Sequence, residues 1–196
     1  MEQSPVSRKI KISYALPAFA LAVVGIPIYV YIPKFYSDVV GVHIGLLGAI
    51  ILIIRIFDAV SDPVIGAISD RTQTRFGRRR PFVGIGSLLL AVSLFFLFNP
   101  LDGSRDFETI WFAVWFFLVF LFWTVVTVPY EALGPELTND YRERISLFGI
   151  RDGALIAGTL LAASSPAIVT GVFGLGADAT GEKAKFFWIS VLYIPM

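Results

Sequence analysis

The sequence contains no cysteine, which removes disulfides, thiol nucleophiles and cysteine-ligated metal centres from consideration. Histidine is nearly missing too: His43 is the only one, so no histidine-rich metal cluster can form. A phosphate-cradling loop is also lacking, since Gly84-x-Gly86 has no third glycine and no strand before it. With no nucleophile–base pair either, the chain reads as a non-enzyme with no cofactor. Charge is sparse, at 16% of residues with a net of +1, and that balance by itself identifies no partner. What is abundant is apolar: 56% of residues are hydrophobic, 15% are aromatic and the mean hydropathy is +0.76. A soluble domain of this composition would expose adhesive surface, whereas a lipid-embedded chain would not.

Apolar runs long enough to cross a bilayer cover residues 14–36, 42–69, 81–101, 109–133 and 147–173. A sixth covers 186–196 and stops after about 11 residues, where a span needs ~20. The expected fold is therefore all-α and integral to the membrane, a half-bundle over residues 1–196 whose sixth helix is incomplete, and the chain is expected to be a fragment. Arg8, Lys9 and Lys11 precede a first run too long for a signal-peptide core, which predicts an uncleaved first helix.

Lys and Arg in the short connections set orientation. One set of connections holds Arg8, Lys9, Lys11, Arg71, Arg75, Arg78, Arg79, Arg80, Arg142 and Arg144, which is ten; the opposite set holds Lys34, Arg105, Lys183 and Lys185, which is four. This predicts a multi-pass protein of the cytoplasmic membrane with its amino terminus inside. Arg78-Arg79-Arg80 lies in a short loop tied at both ends to spans, so it is not read as a nucleic-acid patch.

Two acids interrupt the second run, in Arg55-Ile-Phe-Asp58-Ala-Val-Ser-Asp62-Pro63. If that run is helical, Asp58 lies about 11 residues, roughly 16 Å, from its basic end, near mid-bilayer. Asp58 and Asp62 are one turn apart and share a face. Unpaired carboxylates in hydrocarbon are costly, so both must face protein, water, a bound cation or Arg55, and the pair marks a functional site. The bland reading is a salt bridge to Arg55 that only locks the bundle. Pro63 has no N–H to offer the Ala59 carbonyl, which would be freed near the site.

The loop after the acids runs Gly66-x-x-x-Asp70-Arg71, Thr72-Gln-Thr-Arg75-Phe76, Gly77-Arg78-Arg79-Arg80-Pro81. This order resembles the loop between helices two and three of the major facilitator superfamily, in the form carried by its glycoside–pentoside–hexuronide:cation symporters, which include melibiose permease. The Arg-x-Gly-Arg-Arg-Arg-Pro portion also resembles plant sucrose–proton symporters. The resemblance extends from Tyr36-Ser37-Asp38-Val39-Val40-Gly41 to Val128-Pro129-Tyr130-x-Ala132-Leu133 and Arg142-Glu143-Arg144, most of the chain.

The resemblance implies a twelve-helix carrier of two six-helix halves, of which this chain is the amino-terminal one, lacking its carboxy-terminal partner half. It implies symport of a sugar, glycoside or uronide with Na+ or H+. Gly66, Asp70, Arg71, Gly77, Arg78 and Arg79 would form a conformational latch, with Gly66 admitting a neighbouring helix and the arginines bracing helix ends. The cation site would use Asp58 and Asp62, the ligands for Na+ if the carrier is sodium-coupled, with oxygens from Ser61 and Thr124; a proton would need only one carboxylate. On the substrate side the sugar-contacting acids of melibiose permease fall at Ala22 and Thr127, so Glu131, one turn on, is the substitute, with Tyr130 as an aromatic that stacks on a sugar ring. Arg151 and Arg55 complete that set. The bland alternative pairs Glu131 with Arg142 or Arg144.

Other marked residues read as structural: His43 as a solvated loop position, Trp111 and Trp115 as an interfacial belt, Asp152 as the ion-pair partner of Arg151, and Gly149-x-x-x-Gly153 with Ala154 and Gly158 as a close packing face. Two other functions stand beside symport of a sugar. A lipid or other amphipathic substrate would suit a cavity lined with apolar groups, and a non-transporting scaffold would suit a bundle without buried acids.

Overall fold

The computed structural model describes residues 6–75, 77–176 and 178–194. Phe76 of the loop motif and residues 195–196 of the sixth apolar run lie outside the described residues.

The described chain is helical throughout: α1 (Arg8–Val40), α2 (Ile44–Arg71), α3 (Arg80–Phe98), α4 (Arg105–Leu137), α5 (Tyr141–Phe173) and α6 (Ala179–Tyr193). The first five are long and apolar enough to cross a membrane. Four of the six begin well before the apolar runs: at 8 and not 14, at 105 and not 109, at 141 and not 147, at 179 and not 186. For the first three the reason is capping. Ser7 accepts from Ile10 N, Ser104 from Phe107 N at 3.3 Å and Asp140 from Glu143 N at 2.8 Å, so each helix starts in a polar turn and only then enters the apolar stretch that hydropathy detects. His43 is likewise a cap, its Nδ1 accepting from Gly45 N at 3.1 Å.

α1 is not a uniform helix. Its turns widen over Pro27–Tyr31 and Tyr36–Val40, where Ile32 N donates to Pro27 O and Gly41 N to Tyr36 O, each five residues back. Pro33 has no N–H for the Tyr29 carbonyl, and a widened turn accommodates that loss. Gly41, at φ 90°, then ends the helix in a left-handed turn.

α1 packs along α5, α4 packs along both α3 and α2, and α6 rests on α3 and α5. The core is aromatic: Tyr36, Phe98, Phe112 and Phe116 are buried, Tyr36 Oη donates to Leu97 O at 2.8 Å and Phe112 stacks on Phe116. Trp115 stacks on Phe96, and Trp111 Nε1 donates to Phe96 O at 3.0 Å. Leu52, Ile53, Ile56 and Val60 stand exposed along α2, as expected of a lipid-facing or partner-facing surface.

The glycine face of α5 differs from the sequence expectation. Gly149 and Gly153 have open space where a side chain would be, so they do not bring a helix close; only Gly158 does, with a would-be Cβ falling 2.5 Å from Phe19 O and 3.0 Å from Ala22 Cβ. An α-helix turns about 100° per residue, so the row drifts and only its last member meets α1.

Candidate functional site

A cavity of about 570 Å³ opens between α1, α2, α4 and α5. Helical spacing builds it. Arg55, Asp58 and Asp62 project from one face of α2, Thr124, Thr127 and Glu131 from one face of α4, and Arg151 comes from α5, so the charged and hydroxyl groups marked in the sequence converge from three helices.

The two acids are held differently. Asp62 Oδ1 accepts from Thr124 Oγ1 at 2.9 Å, across the α2–α4 contact. Asp58 Oδ2 lies 3.3 Å from Arg55 Nη1, while its Oδ1 is buried with no hydrogen-bond partner among the described residues. The Arg55 guanidinium sits over the rings of Tyr29 (4.6 Å) and Phe120 (4.4 Å), so two aromatic faces and one carboxylate fix it. Ser61 does not join the site: it is buried at 7% exposure and its Oγ donates to the Asp58 carbonyl. Among the described residues no three His, Cys, Asp or Glu side chains converge, so a hard cation here would complete its shell from hydroxyl and carbonyl oxygens or water.

Along α4 and α5 the structure rearranges the expected roles. Tyr130 borders the cavity but is buried, its Oη donates to Tyr14 O at 2.7 Å and its ring stacks on Tyr14 at 5.0 Å, so its face and hydroxyl are already engaged. Thr127 Oγ1 donates back to Trp123 O at 2.8 Å. Glu131 is exposed to the cavity and has no salt bridge among the described residues, to Arg142, Arg144 or any other cation; Arg144 Nη2 instead donates to Thr138 O. Arg151 pairs with Asp152, at 2.8 Å from Nη2, and lies over the Phe148 ring. Ala22 also borders the cavity. Tyr29, Phe120, Trp123 and Thr159 are lining residues that sequence reasoning missed. The signal for Trp123 was present, since Trp123, Thr127 and Glu131 repeat every fourth residue.

The loop between α2 and α3 is bound to α4. Arg79 Nη2 meets Asp70 Oδ1 at 2.5 Å, its Nη1 donates to the Ala132 carbonyl, and the same nitrogen is 3.3 Å from Glu136, which also holds Arg78 at 2.8 Å. Gly77, at φ 99°, supplies the left-handed turn and Thr74 Oγ1 bonds its carbonyl. Arg71 ends α2, exposed. Gly66 is a weaker element than expected: a Cβ there would meet Val128 at 3.5 Å, an ordinary contact. At the same end of the bundle Lys11 bridges α1 to α5 through Glu143 (2.8 Å) and Ser146 (2.9 Å).

A family model described as MFS/sugar transport protein matches residues 13–195, nearly the whole chain. The chain belongs to that family. Among its relatives are the inner membrane symporter YicJ of Escherichia coli, 35% identical over 82% of this chain and 35% of that protein, and the putative glycoside/cation symporter YagG of the same organism, 33% identical over 88% and 38%. The isoprimeverose transporter of Lactiplantibacillus pentosus is 28% identical over 93% of this chain and 38% of its own length. The chain thus spans about a third of the length of the curated relatives it matches. This major facilitator family consists of multi-pass membrane transporters and not enzymes, in agreement with the lack of catalytic machinery in the sequence and with the sequence resemblance to the glycoside:cation symporters.

Proposed function

We propose that this chain is the amino-terminal six-helix half of a twelve-helix secondary carrier that symports a sugar, glycoside or uronide with Na+ or H+ across the cytoplasmic membrane. The observation that carries the reading is the shared cavity, in which Asp58 and Asp62 stand beside Thr124 on one side and Glu131 and Arg151 on the other. A carboxylate oxygen buried without a donor is costly, and a coupling cation or proton at Asp58 Oδ1 relieves that cost. Asp62, oriented by the Thr124 hydroxyl, supplies a second anionic oxygen one helical turn away. Glu131 accepts from substrate hydroxyls and Arg151 donates to them. Ion and substrate then occupy distinct groups in one cavity, and their coupling is the free energy by which each stabilises the arrangement the other binds.

Alternating access would come from this half and a second one rocking about the site. Loop arginines that hold α2 and α3 to α4 fit the part of a latch between those arrangements. The ten-to-four distribution of basic residues supports a cytoplasmic amino terminus. A lipid carrier would suit a lining without so many charges, and a scaffold would have no use for an unpartnered buried carboxylate oxygen.

The test is gradient-driven uptake by the full-length carrier in membrane vesicles. An imposed inward Na+ or H+ gradient is expected to drive a glycoside above its equilibrium level, and collapse of that gradient to abolish the excess. Uptake that only equilibrates under both gradients would show a facilitator and overturn the symport reading.

A further inference from the structure

We infer that a second cavity, between the far ends of α1, α5 and α6, holds the headgroup of a phosphatidylethanolamine drawn from the surrounding bilayer. It encloses about 470 Å³ and shares no lining residue with the cavity of the acids. Its floor is apolar, with buried Phe35 of α1 against buried Phe186 of α6 at 4.3 Å between ring centres and Pro166 of α5 beside them. Tyr31 Oη donates to Ala163 O at 3.0 Å and so ties α1 to α5 at the cavity's edge. The rim is charged: Lys34 and Asp38 come from one face of α1, Glu182 and Lys185 from the start of α6.

Two positive and two negative groups make the rim neutral overall. A simple anion here would meet Asp38 and Glu182, a simple cation would meet Lys34 and Lys185, and an uncharged sugar would answer none of the four; a zwitterion answers both signs. Glu182 and Lys185 already neutralise each other at 2.6 Å. Lys34 and Asp38 are exposed, and among the described residues neither has an ion pair or a side-chain hydrogen bond, so one cationic donor and one anionic acceptor stand open a turn apart. Depth selects the source of the zwitterion. Lys34 follows Lys11 by 23 residues, roughly 35 Å along a helix, and a hydrocarbon core is ~30 Å thick, so the rim lies at headgroup level. Trp188, stacked on Phe173 at 4.3 Å, is an aromatic pair of the kind found at that level. Ile168 and Phe187, within two residues of the lining on α5 and α6, are exposed and offer acyl chains an apolar surface. In this pose Lys34 donates to the phosphate and Asp38 accepts from the ammonium. A primary ammonium brings three N–H donors to that carboxylate, whereas a trimethylated one brings none.

The experiment titrates the full-length carrier, purified in detergent and stripped of lipid, with dioleoyl phosphatidylethanolamine, and reads the first lipid bound by native mass spectrometry. Wild type, K34Q, D38N and R105Q are compared. Losing one charge-assisted contact should weaken binding about tenfold in K34Q and in D38N. R105Q removes an exposed positive charge at the same end of the bundle but outside the cavity, and should match wild type. With the wild-type protein, phosphatidylglycerol, which has the phosphate and no ammonium, should bind about tenfold more weakly, and phosphatidylcholine should fall between the two. O-phosphoethanolamine, the headgroup without chains, should not displace the lipid at equal concentration. Unchanged affinity in either K34Q or D38N overturns the inference, as does an equal loss in R105Q or phosphatidylglycerol binding as tight as phosphatidylethanolamine. Displacement by equimolar O-phosphoethanolamine would make this a site for a soluble zwitterion and overturn the lipid assignment.

Discussion

Thr124 and Asp62 are joined by a 2.9 Å hydrogen bond that crosses from α4 to α2 at the floor of the cavity. The hydroxyl donates one proton to the carboxylate and keeps its lone pairs, so the same oxygen orients Asp62 and remains available to a cation. A hydrogen bond to a charged group is worth more than a neutral one, on the order of 1.5–3 kcal/mol. T124V keeps the shape and removes the oxygen, so the half-saturating concentration of the coupling ion should rise at least about tenfold, while T124S should stay near wild type. Ion titration of substrate uptake measures this, and equal behaviour of T124V and T124S would remove Thr124 from the ion site.

Replacing Asp58 or Asp62 by Asn preserves size and removes a charge, so the helix should still insert while a cation loses a strong ligand. Gradient-driven accumulation should be lost in D58N and in D62N. Exchange of substrate down its own gradient should persist at least in part, because ion and substrate occupy different groups linked only by a coupling energy. In D62N, substrate affinity should no longer respond to Na+ or pH. Were both variants to accumulate substrate with unchanged ion dependence, the carboxylates would be structural.

The sequence and the structure agree best where a physical cost is local. Asp58, Asp62 and Arg55 were legible because charge within a span is expensive whatever surrounds it. The helix starts were misplaced because hydropathy reports contact with hydrocarbon, whereas Ser7, Ser104 and Asp140 start their helices in polar turns. Ser61 and Tyr130 show a different limit: a step of one residue, about 100° around the helix, decides whether a side chain opens to the cavity or is taken up by a neighbour, and that depends on how α2 and α4 are rotated against their partners. Rotation is a property of packing and leaves no mark in residue type. The same argument covers Gly149 and Gly153, whose spacing matched a close-packing pattern on a face that no described helix touches.

Arg79 is the central residue of the loop: its side chain is only 10% exposed and it reaches Asp70, Glu136 and the Ala132 carbonyl, while Arg78 is 51% exposed and reaches Glu136 alone. Exposed pairs contribute little. R79A should therefore slow substrate exchange by about tenfold or more with equilibrium substrate binding unchanged, and R78A should have a small effect on either. Rapid exchange in R79A, or an equal loss in R78A, would show that the loop is not a latch of the kind proposed.

Gly158 and Gly149 separate backbone packing from helix propensity on one helix. A methyl group at Gly158 would fall 2.5 Å from Phe19 O, which belongs to the backbone of α1 and cannot rotate aside, so G158A must push α1 and α5 apart. Overpacking of that kind costs typically 1–3 kcal/mol. At Gly149 and Gly153 there is open space, and replacing a mid-helix glycine by alanine gains up to about 1 kcal/mol of helix stability. Thermal unfolding in detergent should thus show G158A below wild type and G149A and G153A at or above it. A comparable loss in G149A or G153A would mean that this face of α5 is covered by another protein surface in the full-length carrier, and the close contact would then belong to the row and not to Gly158 alone.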